Sequence, residues 1–347
     1  MGFETKQEIK NLKREIEFLK KEISEGKAEK LKFLITGALG HVGSALIREY
    51  AKRKDIELIR IVDNLSTQRY CSLFDLPKTH VKFEFIEGDI NDIELVKKVV
   101  KGIDVVIHLA AITDAPSTIE KPEECRKVNF EGVKNVLNCA IESGVKKFIY
   151  PSSTSVYGEA SGIVDENTTM ENLHPSSPYA EYKLKAEKLV LDANGKNGIK
   201  TFVLRKGTIY GKSIGMRFHT AVNKFVWLAC TDKPLTLWDS ALNSKRPYLG
   251  LGDAIRAYEF AEKYAKPGEL YNVLTKNYTV KEIVDAIKKF KPNLKIQITK
   301  SPLLNQKSYE VSCEKFKSLG FEFKDDLQDF LGGEIELLEG IDNSDGD

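Results

Sequence analysis

Residues 31–43, LKFLITGALGHVG, decide how this chain is read. The first six are a short run dominated by Leu, Phe and Ile that stops at a glycine, which is the pattern of a buried strand. Gly37, Gly40 and Gly43 then recur at every third position. Directly after them SALIREYAKR places apolar residues at helical spacing. Glycines between a strand and a helix let the chain turn sharply, bring main-chain N–H groups against a diphosphate and seat the helix close to the sheet. The helix N-terminus adds a favourable field for the negative charge. The wall of a dinucleotide site is therefore expected from Gly37, Gly40, His41, Val42 and Gly43.

Outward from this turn the same texture repeats. ELIRIVD (57–63), VKFEFIEGD (81–89), DVVIHLA (104–110), KKFIYPS (146–152) and KTFVLR (200–205) read as strands. Between them, segments such as IELVKKVV and EGVKNVLNCAIES carry apolar residues three and four apart. Strand and helix in alternation predict an α/β fold, a doubly wound parallel sheet of the Rossmann type covered on both faces, over residues 31–206. Residues 207–335 are less regular and read as a smaller substrate-binding lobe. A strand near 269–274 returns to the sheet, and the helix of TVKEIVDAIKKF is opened by a Thr279–Glu282 capping box.

Two end segments stand apart. Ile9, Leu12, Ile16, Leu19 and Ile23 define an amphipathic helical extension within residues 1–30. At about two heptads it is too short to be stable alone, and it is expected to dock on its own body or pair with another subunit. Residues 336–347 read as an acidic tail.

Composition excludes several classes. Lys and Arg number 53 and Asp and Glu 51, a net charge of +2, so there is no overall field to hold nucleic acid or an anionic membrane. The five cysteines are scattered, with no C-x-x-C pair, which argues against a disulfide framework and a zinc site and for a reducing compartment. No apolar stretch is long enough to span a bilayer. A cytoplasmic protein without a metal is expected.

Asp63 lies 20 residues beyond Gly43 at the end of the second strand, where a carboxylate can accept both hydroxyls of an adenosine ribose and repel a 2′-phosphate. That favours NAD over NADP. Asn64, Asp89, Ile90, Leu109, Ala110 and Ala111 follow the ends of the second, third and fourth strands and complete the expected cofactor wall.

Tyr179 and Lys183 are four apart in SPYAEYKLKAEKLV, so one helix face presents a phenol and an ammonium. Tyr50 and Lys54 share that spacing, so spacing alone decides nothing. Tyr179 differs by following the fifth strand and its SSTSVYG loop, at the strand ends where α/β ligands bind. Lowering a phenol from about 10 to near 7 takes roughly 4 kcal/mol. A cation at about 5 Å in a medium of dielectric about 20 supplies about 3 kcal/mol. A hydroxyl from the SSTS loop would hold the substrate oxygen while Tyr179 moves its proton.

TGALGHVG, Asp63, HLAA, SSTSVYG, PYAEYK and LRKGTIYG, in this order, resemble the extended short-chain dehydrogenase/reductase family, and within it the NAD-dependent nucleotide-sugar epimerases and dehydratases. The resemblance covers about residues 31 to 330. It implies that Ser153, Tyr179 and Lys183 are the catalytic set, with Lys183 binding the nicotinamide ribose and lowering the tyrosine pKa. It also implies a nucleotide-activated sugar as partner and a homodimer paired through two outer helices, to which the N-terminal helix could add.

Arg246, in KRPYLGLGD before Asp253, resembles the arginine that reaches the substrate diphosphate. Met216 and Arg217 fall where the second lobe closes on the substrate, and Thr154 and Thr208 complete the expected substrate wall. Dehydratases and decarboxylases of this kind carry acidic residues between the catalytic hydroxyl and VYG. Here those positions are Thr154 and Ser155, which favours oxidation at C4 with the hydride returned, an epimerase, or passed on, a dehydrogenase or reductase. A 4,6-dehydratase ranks behind these. Tyr182, Thr208 and Gly250 depart from common family residues and leave the sugar open. A dinucleotide-binding regulatory or scaffold protein is the non-enzyme alternative, and the intact Ser153, Tyr179 and Lys183 set argues against it.

Overall fold

The computed structural model describes residues 30–158, 160–300, 308–338 and 340. The helix read at residues 9–23 and most of the acidic tail lie outside the described residues. Seven strands form one parallel sheet: β1 (Leu31–Thr36), β2 (Ile56–Asp63), β3 (Lys82–Glu87), β4 (Val105–His108), β5 (Lys147–Ser153), β7 (Lys200–Lys206) and β11 (Glu269–Val273). Their order is β11-β7-β5-β4-β1-β2-β3. The chain runs outward from β1 in one direction to β3 and in the other to β11. The two directions part between β1 and β4, and the crevice above that point is where open α/β sheets hold ligands.

Side chains alternate across the sheet and fill two cores. Phe33 and Ile35 of β1 pack with Leu46, Ile47 and Tyr50 of the helix His41–Tyr50 and with Tyr258 and Ala261 of the helix Leu251–Tyr264. Leu34 goes to the opposite face with Val106 and Phe148, under Val136 and Ala140 of the helix Val133–Glu142 and Ala186 and Val190 of the helix Pro178–Leu191. Burial on both faces explains the near-continuous apolar strands.

The glycine turn is built as its spacing demands. Gly37 has φ +66°, and a Cβ there would stand 2.5 Å from the Ala110 amide nitrogen at the end of β4. A Cβ on Gly43 would stand 2.5 Å from the Ala38 carbonyl oxygen, so only glycine lets the helix approach this closely.

The second lobe has its own core, including Tyr210, Val222, Val226, Leu237, Ile283 and Leu331. Around it β8 (Thr208–Tyr210), β10 (Lys245–Gly250) and β12 (Lys276–Thr279) form one small sheet, and β9 (Leu235–Trp238) pairs with β13 (Ile296–Thr299). Between the lobes, β6 (Gly162–Val164) pairs with β14 (Tyr309–Val311). The Thr279–Glu282 capping box is present: the Glu282 amide donates to Thr279 Oγ1 (3.1 Å) and the Thr279 amide to Glu282 Oε2 (2.7 Å). No helix among the described residues is long and apolar enough to cross a membrane.

Candidate active site

A cleft of about 820 Å³ opens over the carboxyl ends of the strands, between the sheet and the second lobe. Its wall contains all of the expected cofactor residues: Gly37, Gly40, His41, Val42, Gly43, Asp63, Asn64, Asp89, Ile90, Leu109, Ala110 and Ala111. Ser153, Tyr179 and Lys183 line the same cleft, as do Thr208, Arg217 and Arg246.

Tyr179 is held by the start of its helix. Ser177 caps the helix by accepting from the Ala180 amide (3.3 Å), Pro178 occupies the first turn, and the Tyr179 amide donates to Thr118 Oγ1 (3.3 Å). The phenol faces Ser153 at the end of β5, near enough for that side chain to lower its pKa. Ser153 Oγ donates to Ser155 Oγ (2.9 Å) and accepts from the Ser155 amide (3.1 Å), so the loop fixes the hydroxyl that faces Tyr179.

The electrostatics differ from the sequence expectation at one point. Burial raises the Tyr179 phenol above its ordinary range, and the Ser153 side chain and the Arg217 charge pull it back down. Lys183 does not take that part here. Its ammonium turns beneath the strand end, donates to the Pro151 carbonyl (2.9 Å) and lies 4.7 Å from the Tyr150 ring centre. Burial lowers its pKa to about 8, against the opposing pull of Glu187.

Two other expected residues sit elsewhere. Thr154 is buried, donates to the Lys206 carbonyl (3.2 Å) and is not in the cleft wall, because the 3-10 turn Thr154–Tyr157 rotates it inward and brings Ser155 to the wall instead. Met216 is also absent from the wall, while its neighbour Arg217 reaches across the cleft to hydrogen-bond Thr113. Asp253 is fully buried and accepts from the amides of Lys324 (2.8 Å) and Asp325 (3.1 Å), which makes it a tie for the C-terminal segment. Tyr50 packs edge-on against Phe33 in the core, 5.3 Å between ring centres, which explains the decoy pair with Lys54.

His41 donates from Nε2 to the Gly211 carbonyl (2.7 Å), and burial lowers its pKa to about 4. A neutral imidazole thus ties the glycine-turn helix to the second lobe. At the far end, Asp63 accepts from the Leu39 amide (3.1 Å) and the Leu65 amide (3.0 Å), which orients its carboxylate at the cleft wall.

A model of the NAD dependent epimerase/dehydratase family matches residues 33–273. The chain belongs to this family. Family membership bears out the NAD expectation and the enzyme class that the motif order implied. A trifunctional UDP-glucose 4,6-dehydratase/UDP-4-keto-6-deoxy-D-glucose 3,5-epimerase/UDP-4-keto-L-rhamnose-reductase of Arabidopsis thaliana is 30% identical over 320 residues, covering 86% of this chain and 45% of that protein. The chain thus spans less than half the length of that relative. The dTDP-D-glucose 4,6-dehydratase of Mus musculus is 29% identical over 308 residues, 84% of each chain. A UDP-glucuronic acid 4-epimerase from Bacillus cereus, solved with UDP-4-deoxy-4-fluoro-glucuronic acid and NAD, superposes with a TM-score of 0.80 at 26% identity, covering 89% of this chain and 99% of that one.

Several wall residues of this family member escaped the sequence reading: Arg69, Thr113, Lys206 and His219. Arg69 and Thr113 sit on loops with no motif. Lys206 ends a strand within LRKGTIYG, where a charge ordinarily marks a solvated strand end.

Proposed function

We propose that this chain is an NAD-dependent epimerase that inverts C4 of a nucleotide-activated sugar. The observation that carries the reading is Tyr179 beside Ser153 in a cleft whose other end is the glycine turn and Asp63. The residues present suit NAD: the turn amides and helix N-terminus for the diphosphate, Asp63 for the adenosine ribose, and Lys183 for the nicotinamide ribose.

Bound NAD supplies the group that accepts hydride from C4 and gives it back. Ser153 holds the C4 oxygen, and Tyr179 takes its proton as the carbonyl forms, then returns it on the opposite course. Arg217 and Ser153 favour the phenolate against the burial that opposes it. Arg246 and Arg217 hold the diphosphate of the sugar nucleotide. Rotation of the 4-keto sugar within the cleft inverts the centre.

The loop between Ser153 and Val156 offers only the hydroxyls of Thr154 and Ser155, and Thr154 is turned away. Elimination of water across C5 and C6 needs a second proton-moving group, and this loop supplies no carboxylate. A 4,6-dehydratase is the second reading, favoured by the mouse relative's activity; Asp114 and Glu124 in the cleft wall are the carboxylates it would have to use. A homodimer in a reducing cytoplasm completes the proposal, supported by the family resemblance and by five free thiols.

The test is incubation of the purified protein with a panel of UDP- and dTDP-sugars, with and without added NAD. A new C4 epimer without net NADH supports the reading. Accumulating NADH marks a dehydrogenase, a 4-keto-6-deoxy product a dehydratase, and no conversion across the panel a binding protein; each of these contradicts it.

A further inference from the structure

We propose that Lys206 selects the sugar, holding a carboxylate on the ring carbon next to the one that reacts. The inference rests on the nucleotide-sugar reading and narrows it to uronic acids.

The register of the sheet sets the geometry. Ser153 and Lys206 are Cα partners at the carboxyl ends of β5 and β7, so the lysine leaves the sheet at the same level as the hydroxyl that faces Tyr179. The Lys206 carbonyl accepts from Thr154 Oγ1 (3.2 Å), which pins the backbone at this point. Side chains of β7 alternate. Arg205 turns to the Pro178–Leu191 helix, where Glu187 pairs with it (2.8 Å). Lys206 turns to the other face, in line with the apolar Phe202 and Leu204, and its ammonium rests 5.5 Å from the centre of the Tyr258 ring.

Among the described residues, no hydrogen-bond acceptor and no carboxylate meets this ammonium. The charges that act on it are of its own sign, Lys183 and Arg217, and with burial they lower its pKa to about 7. A half-buried cation needs an anionic partner, and the ring face of Tyr258 is a weak substitute. Lys206 lines the cleft, so a ligand can reach it.

The charges of the cofactor and the substrate diphosphate already have partners in the glycine turn, Arg217 and Arg246. Lys206 is surplus to them and sits at the reacting end. On a sugar that reacts at C4, the substituent able to supply an anionic oxygen there is a carboxylate at C6, one carbon beyond C5. A hydroxymethyl group in that place would leave the ammonium without a counter-charge. The nicotinamide carboxamide is the competing neutral partner for the same ammonium, and the two make different predictions.

The experiment measures binding in a Tyr179→Phe background with NAD loaded, so that turnover does not interfere. Calorimetric titration with UDP-glucuronic acid and with UDP-glucose is compared in proteins carrying Lys206, Lys206→Arg and Lys206→Met. The expected result is a 10- to 100-fold preference for the uronic acid with Lys206, partial preference with Arg and loss of preference with Met. Equal binding of both sugars to the Lys206 protein overturns the inference without any need for a folded Lys206 variant. A preference unchanged by Lys206→Met also overturns it, as does a loss of NAD retention with no change in the sugar ratio, which assigns the lysine to the carboxamide. Binding of neither sugar nucleotide overturns the nucleotide-sugar reading and this inference with it.

Discussion

Arg205 and Glu187 form a buried ion pair, 2.8 Å apart, behind the helix that carries Tyr179 and Lys183. Glu187 also accepts from Ser152, so one carboxylate joins that helix to both β5 and β7. The guanidinium lies over the Tyr157 ring at 4.9 Å and is buried. Glu187→Ala therefore leaves a buried charge unpaired, and a loss of about 3–5 kcal/mol is expected. Urea unfolding measures it. A loss under 1 kcal/mol would mean that the pair does not fix the helix.

Arg217 acts on Tyr179 through its charge. Proton abstraction needs the phenolate, and the guanidinium is one of two groups that hold the phenol down against burial. In Arg217→Gln that pull is gone, so the acid limb of the kcat/KM profile moves to higher pH. The position of the limb is the readout, because weaker substrate binding alone would lower the whole curve without moving it.

Much of this arrangement was legible in the sequence. The glycine triplet between an apolar run and a helical pattern located the cleft, and Asp63 marked its far end, because turns and strand ends are local features. Side-chain direction was less legible. Thr154 and Ser155 are neighbours in one loop, and only the 3-10 turn decides which of them reaches the wall. The crossing of residues 213–217 over the glycine turn was not legible at all. It rests on contacts about 170 positions apart, Ser213 Oγ to the His41 carbonyl (2.9 Å) and the Gly215 amide to Ser44 Oγ (3.0 Å). That crossing takes Met216 off the wall and presents Arg217. Lys206 was missed because a lysine at a strand end normally reaches solvent, and here it lies against the Tyr258 ring of the Leu251–Tyr264 helix.

Acid should weaken the protein through two histidines. His41 and His108 are both buried, with pKa values lowered by burial to about 4 and about 3. Between those values and 6.5 the unfolded chain binds protons that the folded chain does not, so stability falls as pH drops. The expected loss from pH 8 to pH 5 is about 2 kcal/mol for each histidine. Urea midpoints across that range check it. The slope should lessen in His41→Gln, and an unchanged slope would show that the ring titrates freely.

Asp63 should discriminate between the two nicotinamide dinucleotides. Arg69 stands close enough for its charge to be coupled to Asp63. The Leu39 and Leu65 amides donate to different oxygens of Asp63, so Asp63→Asn keeps an acceptor for one of them while it removes the charge that repels a 2′-phosphate. The ratio of NADP to NAD affinity should rise roughly 10-fold or more, measured by fluorescence titration. An unchanged ratio would place the ribose elsewhere.

The claim at the centre of the account is that the Tyr179 oxygen moves the proton. Steady-state turnover of Tyr179→Phe, measured on protein shown to retain NAD and a native unfolding midpoint, tests it most directly. The account predicts a fall of roughly 1,000-fold or more with cofactor content unchanged. Turnover within 10-fold of the unmodified protein would contradict it.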